Sequence, residues 1–170
     1  MESLVNKLIR LIPEWNGKAI KVYPINDGIT NINFEVTIDE KSFFLSMPSQ
    51  NSNLLNIDYK NKYYNNKICG DINISPKVIH FIESENLLVT EFIKSKHSSS
   101  ELFQSSKGIE QLVKKIKLLH STNPFFKKFN MFSLIHSYQN IIKGDYISKN
   151  LLQYINTIKK LETKLFLPDY

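Results

Sequence analysis

A strict alternation of apolar and polar side chains runs through residues 31–38, NINFEVTI. Such a period of two predicts a strand with one buried face, here the face of Ile32, Phe34, Val36 and Ile38. Asp39-Glu40 then forms a turn, and residues 41–47 (KSFFLSM) return as a second strand that stops at Pro48. The sequence therefore predicts an antiparallel hairpin, which favours a sheet-containing fold.

The other predicted elements fall into two groups along the chain. Three further strands are predicted at residues 18–25, 77–82 and 87–93, with a polar helix over 56–68 between them. A Ser-rich connector follows, and amphipathic helices are predicted over 109–119, 132–142 and 151–166. Strands first and helices afterwards indicate the α+β class, and no internal repeat is visible.

Composition excludes several classes of protein. The 170 residues carry 22 Lys+Arg and 16 Asp+Glu, a net charge of +6, and one cysteine. One cysteine excludes an internal disulfide and a multi-cysteine metal cluster. Arg10 is the only arginine and the lysines are scattered, which argues against nucleic-acid recognition. There is no signal-peptide core and no apolar run near the ~18 residues of a membrane helix, so we expect a soluble cytoplasmic protein.

Six segments of the sequence, by their order and spacing, resemble the choline/ethanolamine kinase family, and in particular the bacterial choline kinases. The fold of that family is that of the aminoglycoside phosphotransferases. The six segments are PINDGITNINFEV (24–36), FFLSMPS (43–49), NIDYKNKYYNNKI (56–68), ISPKVIHF (74–81), LLVTEFI (87–93) and KLLHS (117–121). The resemblance covers roughly residues 14–140. Each segment alone is weak, since a glycine in a turn is common.

The resemblance implies a fold and an activity. It implies a protein-kinase-like amino-terminal lobe at 1–93, with a five-stranded antiparallel sheet and one helix. A hinge or connector would follow at 94–100, and residues 101–170 would be the helical start of a carboxy-terminal lobe, truncated before the catalytic loop. The implied activity is ATP- and Mg²⁺-dependent phosphoryl transfer to the hydroxyl of choline or a similar amino alcohol.

The resemblance also implies which residues hold ATP. A loop over the phosphates would be formed by Gly28, Ile29, Thr30, Asn31 and Asn33, and a hinge for adenine by the backbone of Glu91, Phe92 and Ile93. Each segment has a plainer interpretation. The loop residues fit an ordinary hairpin turn, because Gly28 permits a positive φ. The segment LLVTEFI fits a buried edge strand.

Two positions depart from the family pattern. The family carries a lysine or arginine where this chain has Ser46, and a glutamate on the following helix where it has Lys62. Protein kinases need that cation–carboxylate pair to hold the phosphates. Lys62 supplies the cation from the helix instead, or the site has decayed, or the alignment is shifted here. The residues alone leave these three alternatives open.

The family's H-x-D-x-x-x-x-N loop is absent from the sequence, because none of the four histidines begins it. Asp145 and Asn150 have the D-x-x-x-x-N spacing, but Lys143 stands where the histidine belongs, and a helix–helix loop explains them better. We assign no catalytic residue and no metal ligand. The expected protein is an amino-terminal kinase fragment, inactive alone, that self-associates or needs a complementing chain. The alternative is a non-catalytic nucleotide- or protein-binding remnant.

Overall fold

A computed structural model describes residues 2–26, 28, 30–50, 52–55, 57–94, 100–142 and 149–165. The chain divides into two compact units. The first comprises Met1–Ser52 and Ile57–Phe126, and the second comprises Asn53–Asn56 and Lys127–Tyr170. The predicted domain limits at 93 and 100 fall within the first unit and stay a prediction. Among the described helices, none has the length and apolar character to span a membrane.

The first unit contains a five-stranded antiparallel sheet. Its strands are β1 (Ile20–Ile25), β2 (Asn31–Ile38), β3 (Lys41–Pro48), β4 (Val78–Ile82) and β5 (Leu87–Glu91). The strand order is β1-β2-β3-β5-β4, and all neighbouring pairs are antiparallel. The predicted fold class, an α+β fold with a five-stranded antiparallel sheet, is confirmed.

The predicted hairpin is present with the expected register. Ile38 pairs with Lys41, and the turn residues Asp39 and Glu40 have φ angles of 46° and 67°. Two consecutive left-handed residues match the twist of a two-residue hairpin turn. Pro24 lies within β1. A proline is tolerated there because β1 is an edge strand, so its missing N–H interrupts no hydrogen bonding between inner strands.

One face of the sheet packs against an amino-terminal helix that the sequence analysis did not predict. Helix α1 (Glu2–Ile9) and the short 3-10 helix Pro13–Trp15 lie on this face. Together with β2, β3 and β5 they form the buried apolar core, which comprises Val5, Leu8, Ile9, Ile12, Trp15, Phe34, Val36, Ile38, Leu45, Leu87 and Val89. The alternating apolar side chains of β2 therefore point to α1.

The opposite face of the sheet receives helix α2 (Tyr59–Asp71), which lies where the polar helix was predicted. The Asp58 side chain caps it by accepting a hydrogen bond from Asn61 N at 2.9 Å. Tyr63 of α2 stacks on Phe81 of β4, with ring centroids 4.6 Å apart. Ring stacking therefore holds α2 against the sheet near β4.

The remaining helices are α3 (Ser100–Gln104) and α4 (Ser106–His120) in the first unit, and α5 (Met131–Ile141) and α6 (Lys149–Lys164) in the second. The expected apolar stripe of α4 is present and 42–49% exposed at Ile109, Leu112, Val113 and Ile116. Phe132 of α5 is buried, with only 4% of it exposed. Asp145 lies outside the described residues.

Candidate functional site

A row of polar side chains lies on the sheet face that receives α2. Asn33 of β2 is the direct cross-strand partner of Ser46 of β3, so their side chains share this face. At the start of β2, Asn31 Oδ1 accepts a hydrogen bond from the Tyr59 hydroxyl of α2 at 3.4 Å. Ser46 is only 4% exposed. The polar side of the alternation in β2 therefore meets α2.

The structure brings Lys62 and Ser46 together. Lys62 lies one turn into α2, and its Nζ donates a hydrogen bond to Ser46 Oγ at 3.3 Å. The same Nζ lies 5.7 Å from the centre of the Tyr59 ring, within reach of a cation–π contact. The two positions that depart from the family pattern thus face each other.

The environment of the Lys62 ammonium is unusual for a cation. Burial lowers the pKa of Lys62 below the ordinary 10.5. Among the described residues, no carboxylate forms an ion pair with it, although other lysines of the same chain are paired. Lys60, only two residues earlier, is exposed and pairs with Glu83 at 3.2 Å. Lys62 is therefore a half-buried cation whose described partners are a hydroxyl and an aromatic ring.

The turn before β2 approaches this row closely. Gly28 has a φ of 149°, and a Cβ there would lie 2.7 Å from Asn33 Nδ2 and 3.2 Å from the Asn31 carbonyl oxygen. Only glycine permits both this φ and this approach. Thr30 Oγ1 accepts a hydrogen bond from Asn31 Nδ2 at 3.0 Å. Four predicted loop residues therefore lie together, and the fifth, Ile29, lies outside the described residues.

The predicted hinge residues lie at the end of β5. Glu91 pairs with Phe43, three positions along the strands from the Leu88–Ser46 pair. At the usual rise per residue, the two pairs are about 10 Å apart. The Glu91 backbone N–H donates to the Lys77 carbonyl at 2.9 Å, so it is not free for a ligand. Ile93 is 57% exposed. The adenine contacts of Glu91, Phe92 and Ile93 stay a prediction.

Thr90 was missed by the sequence analysis. It pairs with Phe44, so its side chain lies on the same sheet face as Ser46, and it is 6% exposed. Its hydroxyl donates to the Glu91 carbonyl at 3.1 Å, the backbone acceptor next to the predicted hinge. The alternation Leu88, Thr90 within β5 was the available signal. Thr90 is therefore a buried hydroxyl bonded to the carbonyl of Glu91, one of the predicted hinge residues.

Mg²⁺, which the resemblance implies, does not fit the described residues. It prefers oxygen ligands, mostly carboxylates and waters. Within the described ranges, no three His, Cys, Asp or Glu side chains converge as a metal site. The charged group that contacts Ser46 of the polar row is itself a cation, Lys62 of α2. The described site suits an anion and not a metal ion.

Comparison with solved structures places this geometry in a known fold. The choline kinase LicA from Streptococcus pneumoniae superposes with a TM-score of 0.75 over 96% of this chain, at 18% sequence identity. This chain has the fold of part of the choline kinases. A choline/ethanolamine kinase family protein from Mesorhizobium loti matches 98% of the chain with a TM-score of 0.67 and 16% identity.

The match covers only part of those proteins. The chain spans 57% of the LicA chain and 55% of the Mesorhizobium loti chain, about half the length of each. A second LicA structure, solved in complex with AMP, matches 94% of this chain with a TM-score of 0.72 and 17% identity. No protein-family model and no curated protein matches the sequence. The likeness thus lies in the fold, as the six segments predicted.

Proposed function

We propose that this chain binds an adenine nucleotide, as the nucleotide-binding portion of a phosphotransferase resembling the choline/ethanolamine kinases. The observation that carries the proposal is the half-buried Lys62 ammonium, 3.3 Å from Ser46 Oγ. On this account Lys62 holds the phosphates from α2, in place of a cation on β3. A structure of a choline kinase with AMP, on a fold that this chain shares, supports the choice of nucleotide.

A physical argument links Lys62 to an anion. Removing an ammonium from water is costly unless an opposite charge or good hydrogen bonds replace the water. Here burial lowers the Lys62 pKa, and no carboxylate among the described residues offsets the cost. A neutral side chain at position 62 would avoid the cost in an unliganded protein. A bound phosphate would offset it, which favours phosphate binding over a decayed site.

The surrounding groups suit a polyphosphate. Asn33 brings its side-chain amide and Asn31 its backbone carbonyl next to Gly28, where a side chain would block close approach. The hinge end of β5 lies about 10 Å along the strand from Ser46. We propose that the base lies at Ile93 and the Glu91 carbonyl, with the phosphates toward Lys62.

Calorimetric titration with ATP tests the proposal. The variant Lys62→Met removes the charge and keeps an unbranched side chain that is one atom shorter. One charge-assisted hydrogen bond contributes about 1.5–3 kcal/mol, so we expect ATP affinity to fall roughly 10- to 100-fold. Lys60→Met is the matched control, because Lys60 lies on the same helix, is exposed and pairs with Glu83.

Each outcome of that titration decides between interpretations. Loss of affinity in Lys62→Met with wild-type affinity in Lys60→Met supports the proposal. Equal affinity in all three proteins contradicts the role of Lys62. If the wild-type protein does not bind ATP, the remnant interpretation replaces nucleotide binding.

Phosphoryl transfer to choline is the activity of the proposed family, and this chain is not expected to perform it alone. Such transfer depends on positioning and on electrostatic stabilisation of the phosphoryl group. The sequence contains no H-x-D-x-x-x-x-N loop, and the described residues offer no metal site. We expect no conversion of choline to phosphocholine by the purified chain. Turnover that is abolished in Asp145→Asn would contradict this.

The α4 stripe favours protein binding as a second candidate function. Four apolar side chains of one helix face are 42–49% exposed, at Ile109, Leu112, Val113 and Ile116. Contiguous exposed apolar surface marks interaction sites. Self-association or a complementing chain would cover it. A monodisperse monomer by light scattering at high micromolar concentration would contradict this candidate.

A further inference from the structure

We infer that the Lys62 site takes the free nucleotide polyphosphate in preference to its Mg²⁺ complex. This inference rests on the proposed nucleotide binding and names the ionic form of the ligand. It departs from what the resemblance implies, since that family uses Mg²⁺ with ATP. The reason lies in the charges and donors that surround Lys62.

The donors of the site are groups that bind anions. The ammonium of Lys62, the hydroxyl of Ser46 and the amide nitrogen of Asn33 are all groups that can donate a hydrogen bond to an anion. In the structure Ser46 Oγ accepts a hydrogen bond from Lys62 Nζ, so the Ser46 hydroxyl hydrogen points elsewhere, and the Asn33 amide nitrogen lies beside Gly28. Phosphate oxygens are acceptors and match them directly. A magnesium ion needs acceptor oxygens, and its preferred carboxylate ligands are not gathered here.

The two nearby carboxylates of the described residues are already engaged. Glu35 lies two residues after Asn33 on the same face of β2, and its Oε1 accepts a hydrogen bond from Ser42 Oγ at 2.7 Å. Asp58 begins α2, and its Oδ1 accepts the Asn61 backbone N–H at 2.9 Å. A metal that took either of these oxygens would compete with the helix cap or with the cross-strand bond.

Metal binding to the nucleotide would also weaken its attraction to Lys62. A bound Mg²⁺ cancels two negative charges of the polyphosphate and occupies oxygens that the ammonium would contact. Where burial has removed water, each lost charge matters more than in solvent. The half-buried Lys62, with its lowered pKa, gains most from a ligand of full negative charge.

Two calorimetric titrations at matched ionic strength test the inference, one with ATP in EDTA and one with ATP in excess Mg²⁺. We expect at least about tenfold tighter binding in EDTA, the worth of one charge-assisted hydrogen bond. Adenosine is the control ligand, because its affinity should not respond to Mg²⁺. Lys62→Met should remove the preference, whereas Lys62→Arg and Lys60→Met should keep it.

The outcomes distinguish the preference for free nucleotide from the proposed nucleotide binding on which it rests. Equal affinities, or tighter binding with Mg²⁺, overturn the preference for free nucleotide and leave nucleotide binding in place. Absence of ATP binding in both buffers overturns nucleotide binding and the inference together. A preference that persists in Lys62→Met, with its fold verified by circular dichroism, overturns the assignment to Lys62.

Discussion

Lys62 Nζ lies 3.3 Å from Ser46 Oγ, so the cation at this point of contact belongs to the helix and the neutral group to the strand. The resemblance to choline kinases implies the reverse, with a cation on β3 and a carboxylate on α2. One positive charge is present in both arrangements. Here it stands without a carboxylate among the described residues, which is why we connect it to an anionic ligand.

Charge reversal distinguishes the two arrangements. Lys62→Glu should abolish ATP binding, because it places a negative charge beside Ser46. The double variant Ser46→Arg/Lys62→Glu restores the family pair, but we expect no improvement over wild type, since Lys62 already supplies the cation. Ser46→Arg alone places two cations together, and Ser46 is 4% exposed, so thermal melting must accompany the titration.

Tighter ATP binding by the double variant than by wild type would show that the native pair is deficient. That result would favour a decayed site over a relocated cation.

The Gly28 turn offers a matched pair of glycine variants. Gly28→Ala and Gly17→Ala both force alanine into positive φ, at 149° and 77°. We expect a loss of about 1–2 kcal/mol of stability at position 17, and of about 1–3 kcal/mol at position 28, whose φ is accessible essentially to glycine alone. Only the Cβ at position 28 meets the polar row, 2.7 Å from Asn33 Nδ2, whereas at Gly17 it meets nothing within 4 Å. We expect Gly28→Ala alone to weaken ATP binding, on the order of tenfold. Equal affinities of the two variants would contradict this.

His136 links α5 to α6 in the second unit. Its Nε2 lies 2.9 Å from Glu162 Oε2, and its Nδ1 lies 3.2 Å from Gln139 Oε1. Hydrogen bonding to Glu162, then to Gln139, raises the pKa of His136 above 6.5, against the opposing charge of Lys159. The charged imidazolium therefore stabilises the folded unit below pH 6.5, and this contribution is lost as pH rises through the folded pKa.

A histidine NMR titration measures this directly. We expect the His136 midpoint above 6.5 in the wild-type protein and a lower midpoint in Glu162→Gln. Glu110→Gln is the control, because Glu110 pairs with Lys114 on α4. An unchanged midpoint in Glu162→Gln would show that the carboxylate does not hold the imidazolium.

Local patterns predicted the β2–β3 hairpin because its two strands are adjacent in sequence, whereas the five-stranded sheet, in which β3 pairs with the distant β5, followed only from the resemblance. Alternation in β2 and the turn at Asp39-Glu40 set both the register and the buried face, and the structure confirms them. Helix α1 was missed, although Val5, Leu8, Ile9 and Ile12 follow helical spacing and are buried. That amphipathic spacing was the available signal for α1.

The candidate site was only partly predictable. The resemblance marked Ser46 and Lys62 as departures from the family pattern. They are 16 positions apart in the sequence, and their contact depends on the rotation of α2 over the sheet. No sequence period specifies that rotation, because α2 is polar around its circumference and is held by Tyr63 on Phe81.

The most direct test of the central claim, that Lys62 is the phosphate-binding cation, is an NMR titration of its side-chain Cε–Hε resonance. Lys62→Arg assigns the resonance, and pH is varied with and without saturating ATP. The account predicts a pKa below 10.5 in the free protein, because burial opposes the charge, and a higher pKa with ATP, because an adjacent phosphate favours it. The same Lys62 pKa in the free and the ATP-saturated protein would contradict it.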